Sequence, residues 1–112
     1  MRVLFHPEFP KDIRRFEAEY AQVSAGLAMR FRDEVDQALE AIKSSPTRGG
    51  HFLSVGASKV AELRRRNLKS FPFFVLYGLG GDQLFFGAII PSRSDPLTWL
   101  ARFVGEKFNW SR

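Results

Sequence analysis

Residues 60–90 read VAELRRRNLKSFPFFVLYGLGGDQLFFGAII, and their pattern decides the fold. Three β-type runs follow one another, at 60–68, 71–78 and 84–90, dominated by aromatic and branched side chains. Gly80-Gly81-Asp82 is a turn signal, so the second and third runs form a hairpin. Both runs are apolar on both faces. Phe73, Val75 and Tyr77 oppose Phe74 and Leu76; Leu84, Phe86 and Ala88 oppose Phe85 and Ile89. One face packs on the segments upstream. The other needs a cover of its own: a C-terminal helix, a second copy of the chain, or a partner.

Upstream the apolar period lengthens. Ile13, Phe16, Tyr20 and Val23 recur at spacings of three and four with charges between them, an amphipathic helix whose first turn accepts Pro10. Ser24-Ala25-Gly26 marks a break. Leu27, Phe31, Val35, Ala38, Leu39 and Ile42 then define a second helix, stopped by Ser44-Ser45-Pro46. Two adjoining helices of this length form an antiparallel hairpin. Before them Arg2–Phe5 reads as a short strand, with Val3 and Phe5 on one face and Leu4 on the other, ended by His6-Pro7. Residues 47–58 (TRGGHFLSVGAS) read as a loop in which 51–55 can pair as a short strand. Past Pro91, Asp95-Pro96 has the form of an N-cap and first position of a short helix to about Val104. The expected fold is α+β over one domain, 1–112, in the order β-α-α-β-β-β with a short C-terminal helix. A helical hairpin packs on a mainly antiparallel sheet of about four strands.

Composition narrows the function classes. No cysteine is present, which excludes disulfides, thiolate metal sites and cysteine nucleophiles; the two histidines are isolated and make no metal-ligand pattern. No cofactor is implied. There is no apolar leader and no apolar run approaching the roughly 20 residues of a membrane span, so a cytoplasmic protein without a membrane partner is expected. The net charge is +5, unevenly placed. Residues 11–45 carry six Lys/Arg against seven Asp/Glu, whereas residues 46–112 carry ten against four. A one-sided excess suits an anionic partner, nucleic acid or an acidic protein segment; it also serves plain solubility.

Arg64-Arg65-Arg66 is the sharpest cluster. Strand alternation sends Arg64 and Arg66 to one face and Arg65 to the other. These guanidinium groups suit phosphates or an acidic protein surface; a charged edge strand that resists aggregation is the plainer reading. Arg93 could hold a phosphate, anchor a partner, or pair with Asp95. Trp99 serves either to cover the sheet or to stack on a base. His6 and His51 invite acid–base readings, yet neither has a recognisable second catalytic group, and His6 reads as a strand-end residue. Tyr77 reads as core.

Three strings in this order resemble the RelE/ParE toxin superfamily: LAMRFRDEVDQALEAIKSSP (27–46), ELRRRNLKSFPFFVLY (62–77) and IIPSRSDPLTWLAR (89–102). The resemblance runs from Phe5 to about Arg102 and lies closer to the ParE-like branch. It implies the toxin of a bacterial type II toxin–antitoxin pair, with a cognate antitoxin as partner and DNA gyrase as target. Operator DNA would be met only through the antitoxin. Arg64, Arg65, Arg66, Arg93 and Trp99 would contact target or antitoxin. The RelE branch implies instead a ribosome-dependent mRNA endonuclease, in which Arg65 and Arg93, with Arg66 as a further candidate, would orient the phosphate. Here the sequence departs from that branch: Pro91 and Ser94 replace the His and second Arg of an H-x-R-R string, and Phe74 and Asn67 stand where basic groups are usual. A third reading is a non-toxic interaction module of the same fold.

Overall fold

The computed structural model describes residues 1–54, 60–103 and 110. Strands β1 (Arg2–Phe5), β2 (Gly50–Ser54), β3 (Glu62–Asn67), β4 (Phe73–Gly80) and β5 (Gln83–Pro91) form one sheet in the order β1-β5-β4-β3-β2. β1 runs parallel to β5, and every other neighbouring pair is antiparallel. Helices α1 (Phe9–Ala21) and α2 (Ala25–Ser44) make the hairpin. The α+β reading holds with one strand more than expected: β2, whose His51 lies opposite Arg64 and Ser54 opposite Glu62. Val55, the last residue of the short strand considered for that stretch, lies outside the described residues, as do 56–58 of the expected loop.

The β4–β5 hairpin turns where the glycines said it would. Gly80 pairs with Gln83, leaving Gly81 and Asp82 as the loop, and Gly81 has φ +57. A positive φ at the first central position matches the twist of the flanking strands, and only glycine takes it without strain.

The break between the helices falls earlier than Gly26. Ser24 is the N-cap of α2, its Oγ accepting from the Leu27 amide at 3.0 Å, and Gly26 sits inside the first helical turn. Val23 therefore lies past the end of α1 and is 76% exposed, not part of the buried stripe. Phe9, Ile13 and Phe16 of α1 join Phe31, Val35, Ala38 and Ile42 of α2 over Phe73, Val75 and Tyr77. Aromatic contacts knit this layer, Phe16 to Phe73 at 4.6 Å and Phe31 to Phe71 at 5.3 Å between ring centroids.

The far face of the sheet carries Leu4, Leu63, Phe74, Leu76, Phe85 and Ile90, and the chain covers it with its own C-terminal segment. The expected short helix is present as a 3-10 helix over Pro96–Arg102; Val104, the end expected for it, lies outside the described residues. Asp95 caps it, its carboxylate accepting from the Leu97 amide at 3.0 Å. Buried Phe103 completes the cover, with Trp99, Leu100 and Trp110 packed against the same cluster.

One expected face assignment is corrected. Ala88 packs on the far face with Phe85 and Ile90, while Ile89 joins Leu84 and Phe86 under the helices. The cause is a register shift: Leu76 pairs with Ala88 and Tyr77 with Phe86, leaving Gly87 as an extra residue. A β-bulge of this kind inverts the alternation beyond it. Gly87 also has no room for a side chain, because the Phe103 ring lies where its Cβ would be.

Candidate functional site

β3 places its three arginines on two faces, and their surroundings differ sharply. Arg64 faces the helices. Its Nη1 donates to the carbonyls of Thr47 and Gly49 at 2.9 and 2.7 Å, and its Nε donates to Glu62 Oε1 at 3.1 Å. The side chain is only 16% exposed. Tyr77, buried beside it, donates its hydroxyl to the Pro46 carbonyl at 2.6 Å. Burial pushes the Tyr77 phenol above its usual 10.0, against the opposing pull of Arg64. Together these two side chains pin the bend from α2 to β2 at residues 46–49.

The bend leaves no space at Gly49, where a Cβ would meet the Tyr77 hydroxyl and approach the Arg65 carbonyl at 3.0 Å. Gly49→Ala should therefore destabilise the protein by about 1–3 kcal/mol, the range for overpacking a filled site. A lowered urea midpoint at unchanged slope is the expected measurement.

Arg65 lies on the far face with Leu63. Its guanidinium carbon sits 3.9 Å from the centroid of the buried Phe74 ring, and Nη2 donates to Asn67 Oδ1 at 3.0 Å. Phe74 thus supplies a platform that holds an arginine.

Arg66 is the one left available. It returns to the helix side at the end of β3, half-buried, in a groove of about 180 Å³ between β3 and α2. Glu34, Gln37 and Ala41 of α2 form one wall; Arg66, Asn67 and Lys69 form the other. Glu34 accepts from the Ser70 amide through Oε1 at 2.6 Å and keeps its charge, so against Arg66 and Lys69 it offsets only one of the two cations in the groove. Among the described residues no ion pair reaches Arg66 or Lys69. The site is a cationic groove with short apolar side chains on its helical wall. It can receive an anionic or amphipathic segment.

The remaining candidates are scattered. Arg93 is exposed just past β5, and Asp95 caps the 3-10 helix without an ion pair to it. Trp99 is half-buried in the far-face cover. His51 Nε2 lies 3.5 Å from Ser54 Oγ and 3.6 Å from Glu62 Oε2. Both contacts fall on one ring nitrogen, whereas a catalytic imidazole needs one nitrogen for the nucleophile and the other for its orienting group. His6 ends β1 as expected, with Nδ1 accepting from the Glu8 amide at 3.0 Å.

A pair that sequence reading passed over ties the two ends of the fold. Arg102 Nη1 donates to Asp12 Oδ2 at 2.7 Å and to the Gly87 carbonyl at 2.8 Å. Asp12 is 3% exposed, the only buried charged residue among those described. The clamp sits where β1 stops and β5 continues past it, so Arg102 satisfies a carbonyl at the bulge that β1 does not reach.

No protein-family model and no curated protein sequence matches the chain. Among solved structures, a chain described as "Chromosomal ParDE TA system from P. aeruginosa" is similar, at a TM-score of 0.64 and 16% identity. The superposition covers 81% of this chain and 95% of that one. The hairpin-on-sheet fold derived above is the fold of that chain.

Proposed function

We propose that this protein is the toxin of a type II toxin–antitoxin pair, ParE-like in that it acts by holding a protein target, DNA gyrase by resemblance. The observation that carries the reading is Arg66. Of the three clustered arginines it alone is uncommitted, beside Lys69 in a groove whose carboxylate, Glu34, is engaged by the Ser70 amide. Such a site suits holding an anionic protein segment. The fold shared with a chain of the ParDE TA system supports the same reading. A cognate antitoxin is the natural occupant of the groove: an acidic, amphipathic segment would set small apolar residues against Ala38 and Ala41 and a carboxylate on Arg66. Arg65, Arg93 and Trp99 lie outside the groove and would serve the target. The protein would act in the cytoplasm, and would meet operator DNA only through the antitoxin.

The test is induction of the protein alone in a bacterial host, with supercoiling by purified gyrase assayed in parallel. Growth arrest with inhibited supercoiling is expected. Translation-dependent cleavage of a reporter mRNA that disappears in Arg93→Ala would replace this reading with the RelE type. Normal growth at good expression would leave an interaction module. Arg66→Glu is expected to weaken binding of a cognate antitoxin by about 2–3 kcal/mol, roughly 30- to 150-fold, as for loss of one member of a desolvated charge pair. Titration calorimetry of the purified pair reads it; Arg64→Glu is unsuitable because it breaks the fold.

A further inference from the structure

One wall of the groove beside Arg66 is bare strand edge. Leu68 donates its amide to the Phe73 carbonyl at 2.9 Å, a hydrogen-bonded pair that closes the β3–β4 ladder. Antiparallel ladders alternate, so Asn67, opposite Phe74, turns its N–H and C=O away from β4. On that side the neighbouring lane belongs to β2, and β2 begins only at Gly50, opposite Arg65. The bend before β2 does not fill the gap. Pro46 and Thr47 are held over Tyr77 and Arg64, further down the ladder, by the hydrogen bonds to their carbonyls. Among the described residues no loop or turn backbone group bonds to Asn67. Asn67 is exposed, and it lines the groove together with Arg66, Lys69, Ala38 and Ala41.

We propose that an acidic segment of a partner protein binds here as an added strand, its backbone pairing with Asn67 in the lane that β2 leaves empty. The inference rests on the reading of the groove as a partner site and adds how the occupant is held. An open edge recruits an extended segment because its N–H and C=O groups stand ready in a fixed register.

That register sets the side chains of the occupant. Arg66 lines the groove and Leu68 joins the core under the helices, so both face α2. A residue directly opposite Arg66 shares its face, and a carboxylate there meets the guanidinium. Two residues along, the occupant lies opposite Leu68 and must be small, because it meets Ala38 and Ala41. The residue between them turns to the far side beside Asn67 and is free to be polar. The pattern is acid, polar, small. Charge selects the occupant, since Glu34 offsets only one of the two cations. A second copy of this chain, paired edge to edge, would instead crowd Arg66 and Lys69 of both copies along one seam.

The probe is a capped synthetic peptide, TETATET, titrated against the purified protein by NMR with its lysine counterpart TKTATKT as control. TETATET should shift the amides of residues 66–69 saturably and slow hydrogen exchange at the Asn67 amide severalfold. Asn67→Pro removes that N–H and sets a ring in the lane, at an edge position where proline is tolerated. It should weaken the peptide about tenfold, whereas Asn67→Ala keeps the amide and should stay within about twofold of wild type. Arg66→Glu should also lose the peptide. Loss in Arg66→Glu with full binding by Asn67→Pro overturns the added strand and leaves a groove that holds its partner by side chains alone. Binding unchanged by either substitution, equal binding of TKTATKT, or no saturable shift with TETATET overturns the groove as a partner site as well. If Asn67→Pro folds poorly, exchange in the wild type decides: an Asn67 amide no slower at saturating TETATET overturns the strand.

Discussion

Asp12→Ala should lower stability by about 3–5 kcal/mol, the range for stripping one member from a buried ion pair. The guanidinium of Arg102 is 19% exposed and would keep one carbonyl partner, Gly87, where it now has a carboxylate as well. For a domain of this size the loss corresponds to a melting temperature lower by about 12–20 °C. The pair itself is not a large net stabiliser, because desolvating two charges offsets most of their attraction. Asp12→Leu combined with Arg102→Met should therefore lie much closer to wild type than Asp12→Ala alone. Urea unfolding of the three variants checks this. An Asp12→Ala protein within 1 kcal/mol of wild type (about the scale of an exposed pair) would show the clamp to be a surface contact.

Phe103→Ala is the companion experiment on the other side of the sheet. The ring is fully buried over Gly78 and Gly87, and its loss should destabilise by about 3–5 kcal/mol. Neighbouring side chains cannot collapse into the space, because the two residues beneath it have none. The signature is coupling. Gly87→Ala alone should be destabilising, since its Cβ would strike the Phe103 ring, yet close to neutral once Phe103 is alanine. Dye binding to the exposed far-face cluster should rise in Phe103→Ala alone. Additive effects of the two substitutions would mean the ring does not lie on the glycines.

Local patterns were legible where one element carried the whole signal. The alternation at Phe73–Tyr77, the turn at Gly81 and the helix stripes at Ile13–Phe16 and Phe31–Ile42 all appear in the fold. The errors share a physical origin. Val23 continues the period of α1, but Ser24 caps α2 and ends the pattern first. Ala88 follows alternation only until Gly87 bulges, a signal that an isolated strand glycine does give. β2 (GHFLS) follows a glycine-bearing bend, has no marked apolar alternation, and gains its place by pairing with β3.

The site was legible as a cluster and not as a set of roles. Alternation divides Arg64 and Arg66 from Arg65, as the structure does. What distinguishes Arg64 from Arg66 is a pair of carbonyls 15 and 17 residues away, at Gly49 and Thr47. Asp12 and Arg102 stand 90 residues apart, and nothing local marks either as buried. Roles fixed by distant backbone atoms require the fold first.

The parallel pairing of β1 with β5 has a consequence for the order of folding. Phe5 aligns with Phe86, so the first strand made is among the last to find its partner. At synthesis rates of 5–20 residues per second the wait is roughly 4–16 s, long against the microseconds in which the helical hairpin can form. α1 and α2 are then complete while their main apolar partner, the β4–β5 hairpin, does not yet exist. Such long-range closure slows folding and leaves the apolar stripes of the two helices exposed in the nascent chain. The protein should therefore depend on holding factors during its synthesis, and should acquire its final form almost entirely after β5 has emerged.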